Sequence, residues 1–419
     1  MHPKALLALA ADLVARLQKL DAPADGTVST FFREQRGLGP RERHTLAETA
    51  YAVLRQRLRW QHLAQGGPGP MERRLALLAW QGDEGFLAVA LNPDEAAWRR
   101  QALAVDPATL APKLRHNLPD WIAQPLQARL GEADFMALAD ALLQPAPLDL
   151  RVNVQKAKRE AVQQALAEAG IAAEPTPFSP WGLRVPGKPA LQKLDVFTRG
   201  EVEVQDEGSQ LLALLVAPKR GEMVVDFCAG AGGKTLALGA AMRSTGRLYA
   251  FDVSGHRLEA MKPRLARSGL SNVHPVQIAH ERDDRVKRLA GKVDRVLVDA
   301  PCTGLGTLRR NPDLKWRQSP QALAELTQKQ AAILASAARL LKSGGRLVYS
   351  TCSLLAPENE AIAEAFGAAH RDFRPLPAAD LLAQAQVGEA ASLVDGDVLR
   401  LWPHRHGTDG FFAAAWQRA

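Results

Sequence analysis

From Gly221 to the C-terminus, runs of β-forming residues alternate with segments of helical period, and this alternation leaves few architectures open. The strand-like runs are "EMVVDFCA", "RLYAFDV", "VHPVQI", "VDRVLVDAP" and "GGRLVYST", with "VLRLWP" and "GFFAAAWQR" closing the sheet. Between them, helical sequence falls at 234–242, 256–268, 320–341 and 358–369. The pattern predicts a doubly wound α/β sheet. Ligands bind such sheets outside the carboxyl ends of the strands, so the residues that end each strand form one candidate set.

The first of these ends is "VVDFCAGAGGKTLALGA", Val224 to Ala240. A phosphate-binding loop needs a glycine five residues before Gly233-Lys234-Thr235, and Cys228 stands there. A dinucleotide fingerprint needs a third glycine where the chain has Thr235. What remains is a strand, a glycine turn and a helix N-terminus facing a ligand. The next strand ends in Asp252, 18 residues past Lys234, where an acid can accept both ribose hydroxyls of a nucleoside. Two further ends carry "DAPCTGLGTLRRNPDLKW" from Asp299 and "STCS" around Cys352. Flanking Pro, Thr and Ser place Cys302 and Cys352 at loop tips, which favours a chemical role. Cys228 directly follows a buried strand and reads as a small apolar residue; Asp299 read alone could cap a turn.

Composition bounds the partners. Formal charge is +8, and residues 226–419 carry 26 basic against 19 acidic side chains, whereas 1–140 carry 17 and 16 and 141–225 carry 10 and 10. The excess lies where the glycine turn lies and leans toward a polyanion. A second basic stretch, Phe31 to Arg74, has nine basic and four acidic residues, a pattern shared with solvated helix faces. Three cysteines show neither C-x-x-C spacing nor an even count, so no zinc site, other metal or disulfide framework is expected, and the compartment reads as reducing. The segment "MHPKALLALAADLVARLQKL" reads as an amphipathic helix rather than a signal peptide, and no run reaches the length of a membrane span. A cytoplasmic monomer is the expectation.

The chain divides into three. Residues 1–143 show helical periodicity throughout, and "LLQPAPLDLRVN" marks a boundary. Residues 148–219 read as a small α/β module: a strand "LDLRVNV", a helix "REAVQQALAEAG", then hairpin material through "GEVEVQDEGSQLLALLV". Residues 220–419 form the wound domain.

Five separated stretches, "VQDEGSQ", "DFCAGAGGKT", "DAPCTGLGTLRRNPDLKW", "GGRLVYSTCS" with "PENE", and "DGFFAAAW", together resemble the RNA (cytosine-5)-methyltransferase family of the Sun/Fmu, NOL/NOP type over residues 148–419. The helical part, through "RERHTLAETAYAVLRQRLRW", is similar to the NusB-like RNA-binding domain of bacterial rRNA members. The resemblance implies an all-α NusB-like domain, an RRM-like module and a Rossmann-like class I methyltransferase domain. It further implies S-adenosyl-L-methionine as cofactor and carbon 5 of a cytosine in rRNA, most simply of the small subunit, as the target; tRNA or another RNA is the alternative. Cytosine carbon 5 is a poor nucleophile, so a thiolate must first add at carbon 6. In this family Cys352 of Thr-Cys-Ser would attack, Cys302 would assist elimination, and Asp299 would hydrogen-bond the base. A DNA cytosine enzyme would use the Pro-Cys thiol and have no need of Cys352. The resemblance gives the donor to the turn Cys228, Ala229, Gly230, Ala231, Gly232, Gly233 and Lys234, with Asp226 at its amino-acid end, Asp252 on the ribose, and Arg257, His280 and Asp299 nearby. Lys234 is expected to meet the donor carboxylate or Asp299. The family's Gly-Asp after the third strand is missing; "VQIAHERDD" offers His280, with Asp283 and Asp284 as substitutes. Arg309, Arg310, Lys315, Arg317 and Trp316 are suited to phosphates and stacking.

Overall fold

In the computed structural model, which describes all 419 residues, the chain beyond Leu148 first forms a small antiparallel sheet. Its strands are β1 (Leu148–Val152), β2 (Glu174–Pro175), β3 (Gly182–Val185) and β4 (Val202–Val204), in the order β2-β3-β1-β4. The helix Arg159–Glu168 covers one face, burying Val162 and Leu166 with Leu150, Val152, Leu183 and Val202.

The apolar runs after Met223 build a nine-stranded mixed sheet. They are β5 (Met223–Asp226), β6 (Arg247–Asp252), β7 (Val273–Gln277), β8 (Val293–Asp299), β9 (Leu341–Thr351), β10 (Phe373–Leu376), β11 (Val394–Asp395), β12 (Val398–Leu401) and β13 (Phe411–Arg418). The order is β11-β12-β13-β9-β8-β5-β6-β7, with β10 also on β13. Strands β7, β6, β5, β8 and β9 run parallel, while β13 is antiparallel to β9 and β12. From β5 the connections run outward to β6 and β7 on one side and to β8 and β9 on the other. That reversal opens a crevice at the carboxyl ends of β5, β6 and β8.

Three expectations shift. The helix Glu207–Val216, read with the small module, packs in the core of the large sheet: Leu211 to Val216 are buried with Leu236, Leu238, Leu297 and Val348. Its "LLALLV" run is apolar on every side, so it must be covered all round. Arg295 donates to its Val216 carbonyl at 2.8 Å and Arg346 to its Leu215 carbonyl at 3.1 Å, satisfying groups that the helix end leaves open. The helix over 320–341 stops at Ala338, and β9 starts at Leu341; the helix expected over 358–369 starts at Glu360 after the short turn Ala356–Glu358. Strand β10 lay in sequence without alternation and was not expected.

The third shift concerns connectivity. The chain separates into two units, residues 1–145 with 307–320, and residues 146–306 with 321–419. The first unit is helical from Pro3–Gln18 to Glu132–Leu142, with a core of Leu7, Leu13, Phe31, Leu46, Leu54 and Leu77. The segment 307–320, which continues the Cys302 motif, belongs to this unit and not to the sheet.

Candidate active site

Strand β5 ends in Asp226, and the turn that follows is fixed from the neighbouring strand. Ala229 N donates to Phe251 O and Gly230 N to Asp252 Oδ2, both at 2.8 Å. Asp252 Oδ1 accepts from Ser254 N at 2.7 Å, so its carboxylate is held by two backbone amides with lone pairs left over. Gly230 and Gly232 have positive φ, +54° and +85°, and a Cβ on Gly232 would lie 2.5 Å from Met261 Cγ. Only glycine fits there.

The turn, the Asp252 end and the β8 and β9 ends line one cavity of about 940 Å³. Among the predicted donor residues, Asp226, Cys228, Ala229, Gly230, Ala231, Gly233, Lys234, Asp252, Arg257, His280 and Asp299 line it. Gly232 does not; it shapes the turn from behind, because its backbone faces Met261. Asp283 and Asp284 do not line it either. Asp283 accepts from Ala279 N and Arg285 N, each at 2.9 Å, capping the short helix Asp284–Lys287, and exposed Asp284 pairs with Lys287. His280 alone of the three faces the cavity.

Asp226 is 1% exposed. Thr235 Oγ1 donates to its Oδ2 at 2.7 Å, while Oδ1 has no partner in the protein. Burial pushes this carboxyl up to about 7 despite the Thr235 hydrogen bond. A buried, half-satisfied carboxylate on a cavity wall calls for a donor from a ligand.

Lys234 reaches across the turn to Asp299 Oδ2 at 2.7 Å, and Ser350 Oγ donates to Asp299 Oδ1 at 3.1 Å. Burial opposes charge on Lys234, but Asp299, and more weakly Cys352, hold its pKa above the ordinary lysine value. Its ammonium lies 5.6 Å from the centre of the Phe411 ring.

Cys302 and Cys352 stand with sulfurs 3.3 Å apart, both on the cavity wall. The hydrogen bond to Cys352, then burial, pushes the Cys302 thiol well up, and either sulfur can be the donor of the pair. Burial likewise raises the Cys228 thiol, beside the Asp226 carboxylate.

The sequence reading gave no role to the group that holds the two cysteine loops together. Glu358 of "PENE" is fully buried. Its Oε1 accepts from Thr303 N at 2.8 Å and Gln330 Nε2 at 2.9 Å, and its Oε2 accepts from Thr303 Oγ1 at 2.6 Å and from Ser353 Oγ. Two of these partners follow a cysteine: Thr303 succeeds Cys302, and Ser353 succeeds Cys352; Gln330 Nε2 also donates to Pro301 O, just before Cys302, at 2.9 Å. Asn359 Nδ2 adds a bond to Ser353 O at 3.0 Å, and Gly306 N donates to Cys352 O at 2.8 Å. A Pro-Glu-Asn-Glu run this close to "STCS" was the available signal. Gln205 and Ser209 of "VQDEGSQ", quoted earlier without a role, also line the cavity. Gln205 Oε1 accepts from buried Arg151, which also donates to Gly233 O at 2.7 Å.

The phosphate-contact expectation for the segment after Cys302 is overturned. Lys315 is buried and donates to Arg55 O at 2.7 Å, Trp316 Nε1 donates to Leu54 O at 2.8 Å, Arg309 is buried, and Arg317 pairs with Asp313 at 3.3 Å. Lys315 and Trp316 satisfy the end of the helix Pro40–Arg55 inside the helical unit, so neither presents its polar group to a nucleic acid. Arg310 is half-buried.

Comparison with known proteins places this arrangement. Residues 213–417 match the model of the family described as 16S rRNA methyltransferase RsmB/F, and residues 118–192 match an RsmF/B-like ferredoxin-like domain. A probable ribosomal RNA small subunit methyltransferase B from Synechocystis is 39% identical over 306 residues, covering 73% of this chain and 68% of the relative. The chain belongs to the RsmB/F family. The ribosomal RNA small subunit methyltransferase B of Sodalis glossinidius is 36% identical over 75% of this chain and 70% of its own. Among solved structures, PH0851 superposes with a TM-score of 0.79 at 25% identity, covering 100% of this chain and 99% of its own. A methyltransferase homologue from Pyrococcus horikoshii gives 0.63 at 28% identity over 75% of this chain and all of its own.

The chain is therefore an S-adenosylmethionine-dependent RNA (cytosine-5)-methyltransferase with a helical N-terminal region, a ferredoxin-like module and a mixed-sheet methyltransferase domain. The cavity suits that cofactor, since the unpartnered Asp226 oxygen matches an ammonium and the pinned Asp252 carboxylate matches a diol. No helix is long and apolar enough to cross a membrane, and no cluster of three or more His, Cys, Asp or Glu could hold a metal ion.

Proposed function

We propose that the enzyme methylates carbon 5 of a cytosine in small-subunit rRNA through a covalent bond from Cys352 to carbon 6. The observation that carries this reading is the thiol pair: two sulfurs 3.3 Å apart on the wall that also holds Lys234 and Asp299. The thiolate is the attacking form of a cysteine nucleophile. Attack by Cys352 moves an electron pair toward the ring nitrogens and the carbonyl. Lys234 would stabilise this charge, and Asp299 would accept from the exocyclic amine. S-adenosylmethionine supplies an electrophilic methyl group. A water would take the proton from methylated carbon 5, the C–H electron pair would re-form the carbon 5–carbon 6 double bond, and Cys352 would leave as thiolate, hydrogen-bonded by the Cys302 thiol.

Asp226 would hold the cofactor's amino group, the turn Cys228 to Lys234 would wrap its chain, and Asp252 would bind the ribose. His280, on the cavity wall, would lie near the base, and Arg257 at the start of the helix Gly255–Ser268 would guard the opening. The helical residues 1–143 and the module 148–219 would grip RNA around an unstacked target, with the chemistry in 220–419.

The test uses Cys302→Ala and Cys352→Ala with cofactor and unmodified rRNA on a denaturing gel. Cys302→Ala is expected to trap a protein-RNA adduct, and Cys352→Ala to be inactive without one. Reversed roles would make Cys302 the nucleophile; unchanged methyl transfer in both would remove the thiols from the chemistry.

A further inference from the structure

Strand β1 sends a buried cation to the glycine turn from behind the cavity wall. Arg151 is 2% exposed and stands opposite Glu203 in the β1–β4 register. Glu203 is the neighbouring acid, yet its carboxylate is taken by Arg264 at 3.0 Å and by Arg267. Arg151 turns instead to neutral acceptors: Nη1 donates to Gly233 O at 2.7 Å and to Gln205 Oε1, and Nε has no partner in the protein.

Stability does not account for this placement. Burying a guanidinium against neutral groups costs free energy, and burial pulls its pKa down to about 10. Gly233 opens the helix Gly233–Ala241, where a cation has the wrong sign for the helix dipole. What the bond secures is geometry. Gly233 lies near the end of the turn that starts at Cys228, and the next residue, Lys234, reaches Asp299. A second tie runs from β4, where Glu203 holds Arg264 and Arg264 donates to Ala231 O at 2.7 Å. Gln205, directly after β4, is itself fixed: its amide donates to Asp149 O at 3.0 Å and its Nε2 to Ser209 Oγ at 3.1 Å. Two carbonyls of the turn are therefore tied to the small sheet.

We propose that Arg151 is a positioning residue for S-adenosylmethionine: through Gly233 O it holds the turn in the shape that receives the donor, so the small sheet sets cofactor affinity without touching the cofactor. Gln205 and Arg264 line the cavity and Arg151 does not, so an effect of Arg151 on binding has to pass through its partners. This rests on the cofactor placement proposed above.

The test compares full-length Arg151→Met and Arg151→Lys with wild type and Asp252→Asn. It measures Kd for S-adenosylmethionine by calorimetric titration, KM for rRNA, thermal midpoint, and amide exchange of residues 229–234 without cofactor. Arg151→Met keeps an apolar stem and removes the donors; Arg151→Lys keeps the charge and the reach to a single acceptor. The expected result is a Kd raised about tenfold in Arg151→Met and about threefold in Arg151→Lys, the scale of a lost and a weakened hydrogen bond. Faster exchange should be confined to the turn, with KM for rRNA unchanged and a thermal midpoint that does not fall. A wild-type Kd in both variants would overturn the proposal, and so would a raised KM for rRNA with unchanged Kd, which would make Arg151 a support for RNA binding. A raised Kd that comes with a lower midpoint and fast exchange across β5 and β8 would overturn it too, since the cause would be general destabilisation. If Arg151→Met does not fold, Arg151→Lys decides by the same readouts. If Asp252→Asn binds the cofactor as wild type does, it is the cofactor placement that fails, and exchange in the turn then decides whether Arg151 holds it.

Discussion

Two buried carboxylates set the chemistry of the cavity, and they do so by opposite means. Glu358 is saturated by four protein donors, whereas Asp226 keeps one oxygen unpartnered. Glu358→Gln replaces an acceptor with an amide donor that must face Thr303 or Ser353. It is expected to cost on the order of 1 to 3 kcal/mol of stability and to lower kcat by about a hundredfold, measured by denaturant melts and initial rates. For Asp226 the sign follows from its raised value. Its folded pKa of about 7 exceeds the ordinary 3.8, so the protein without cofactor is favoured by protonation and loses that stability as pH rises through about 7. Cofactor affinity should run the other way: a neutral carboxyl cannot pair with an ammonium, so Kd for S-adenosylmethionine is expected to rise by up to about tenfold per unit as pH falls below about 7. Calorimetric titration at several pH values checks this, and Asp226→Asn should bind weakly with a flat profile. The strand-end residues were legible because alternation and the switch-point rule name them from spacing alone. Glu358 was not, since a glutamate in a polar run looks solvated until the fold encloses it. Lys315 misled for the same reason.

At the scale of elements, helix ends recur as the places where distant segments are tied. Arg295 and Arg346 cap the apolar helix Glu207–Val216, and Lys315 and Trp316 cap Pro40–Arg55. Arg346→Met should cost roughly 1 to 2 kcal/mol, the worth of a cation at a partly buried helix C-terminus, read as a lower denaturation midpoint. Lys315 titrates at about 7 in the folded chain against an ordinary 10.5, because burial disfavours its charge. Between those values the unfolded chain holds a proton that the folded one lacks, so stability is expected to rise with pH across the window. Lys315→Met should flatten that rise in thermal melts recorded from pH 7 to about 10. The main strands and most helices were readable from period; β10 was not, because its "FRPL" has no alternation and its place is set by β13. The all-apolar helix after "VQDEGSQ" was readable as a helix but not as part of the large core, since that depends on which surface remains to be covered.

For the whole molecule, residues 146–419 expressed without the first 145 should leave 307–320 without the helices it caps. Amide exchange in that segment is expected to become fast while β5 and β8 stay protected, as mass-resolved exchange would show. The charge excess of residues 226–419 also overstates what an RNA can feel, because Arg309 and Lys315 are buried inside the protein. The backbone crosses between its units three times, after residues 145, 306 and 320. A chimera made by joining one relative's helices to another's sheet at a single seam would therefore pair a foreign 307–320 with helix ends it was not shaped for. A working graft has to carry residues 307–320 along with the helices they close on.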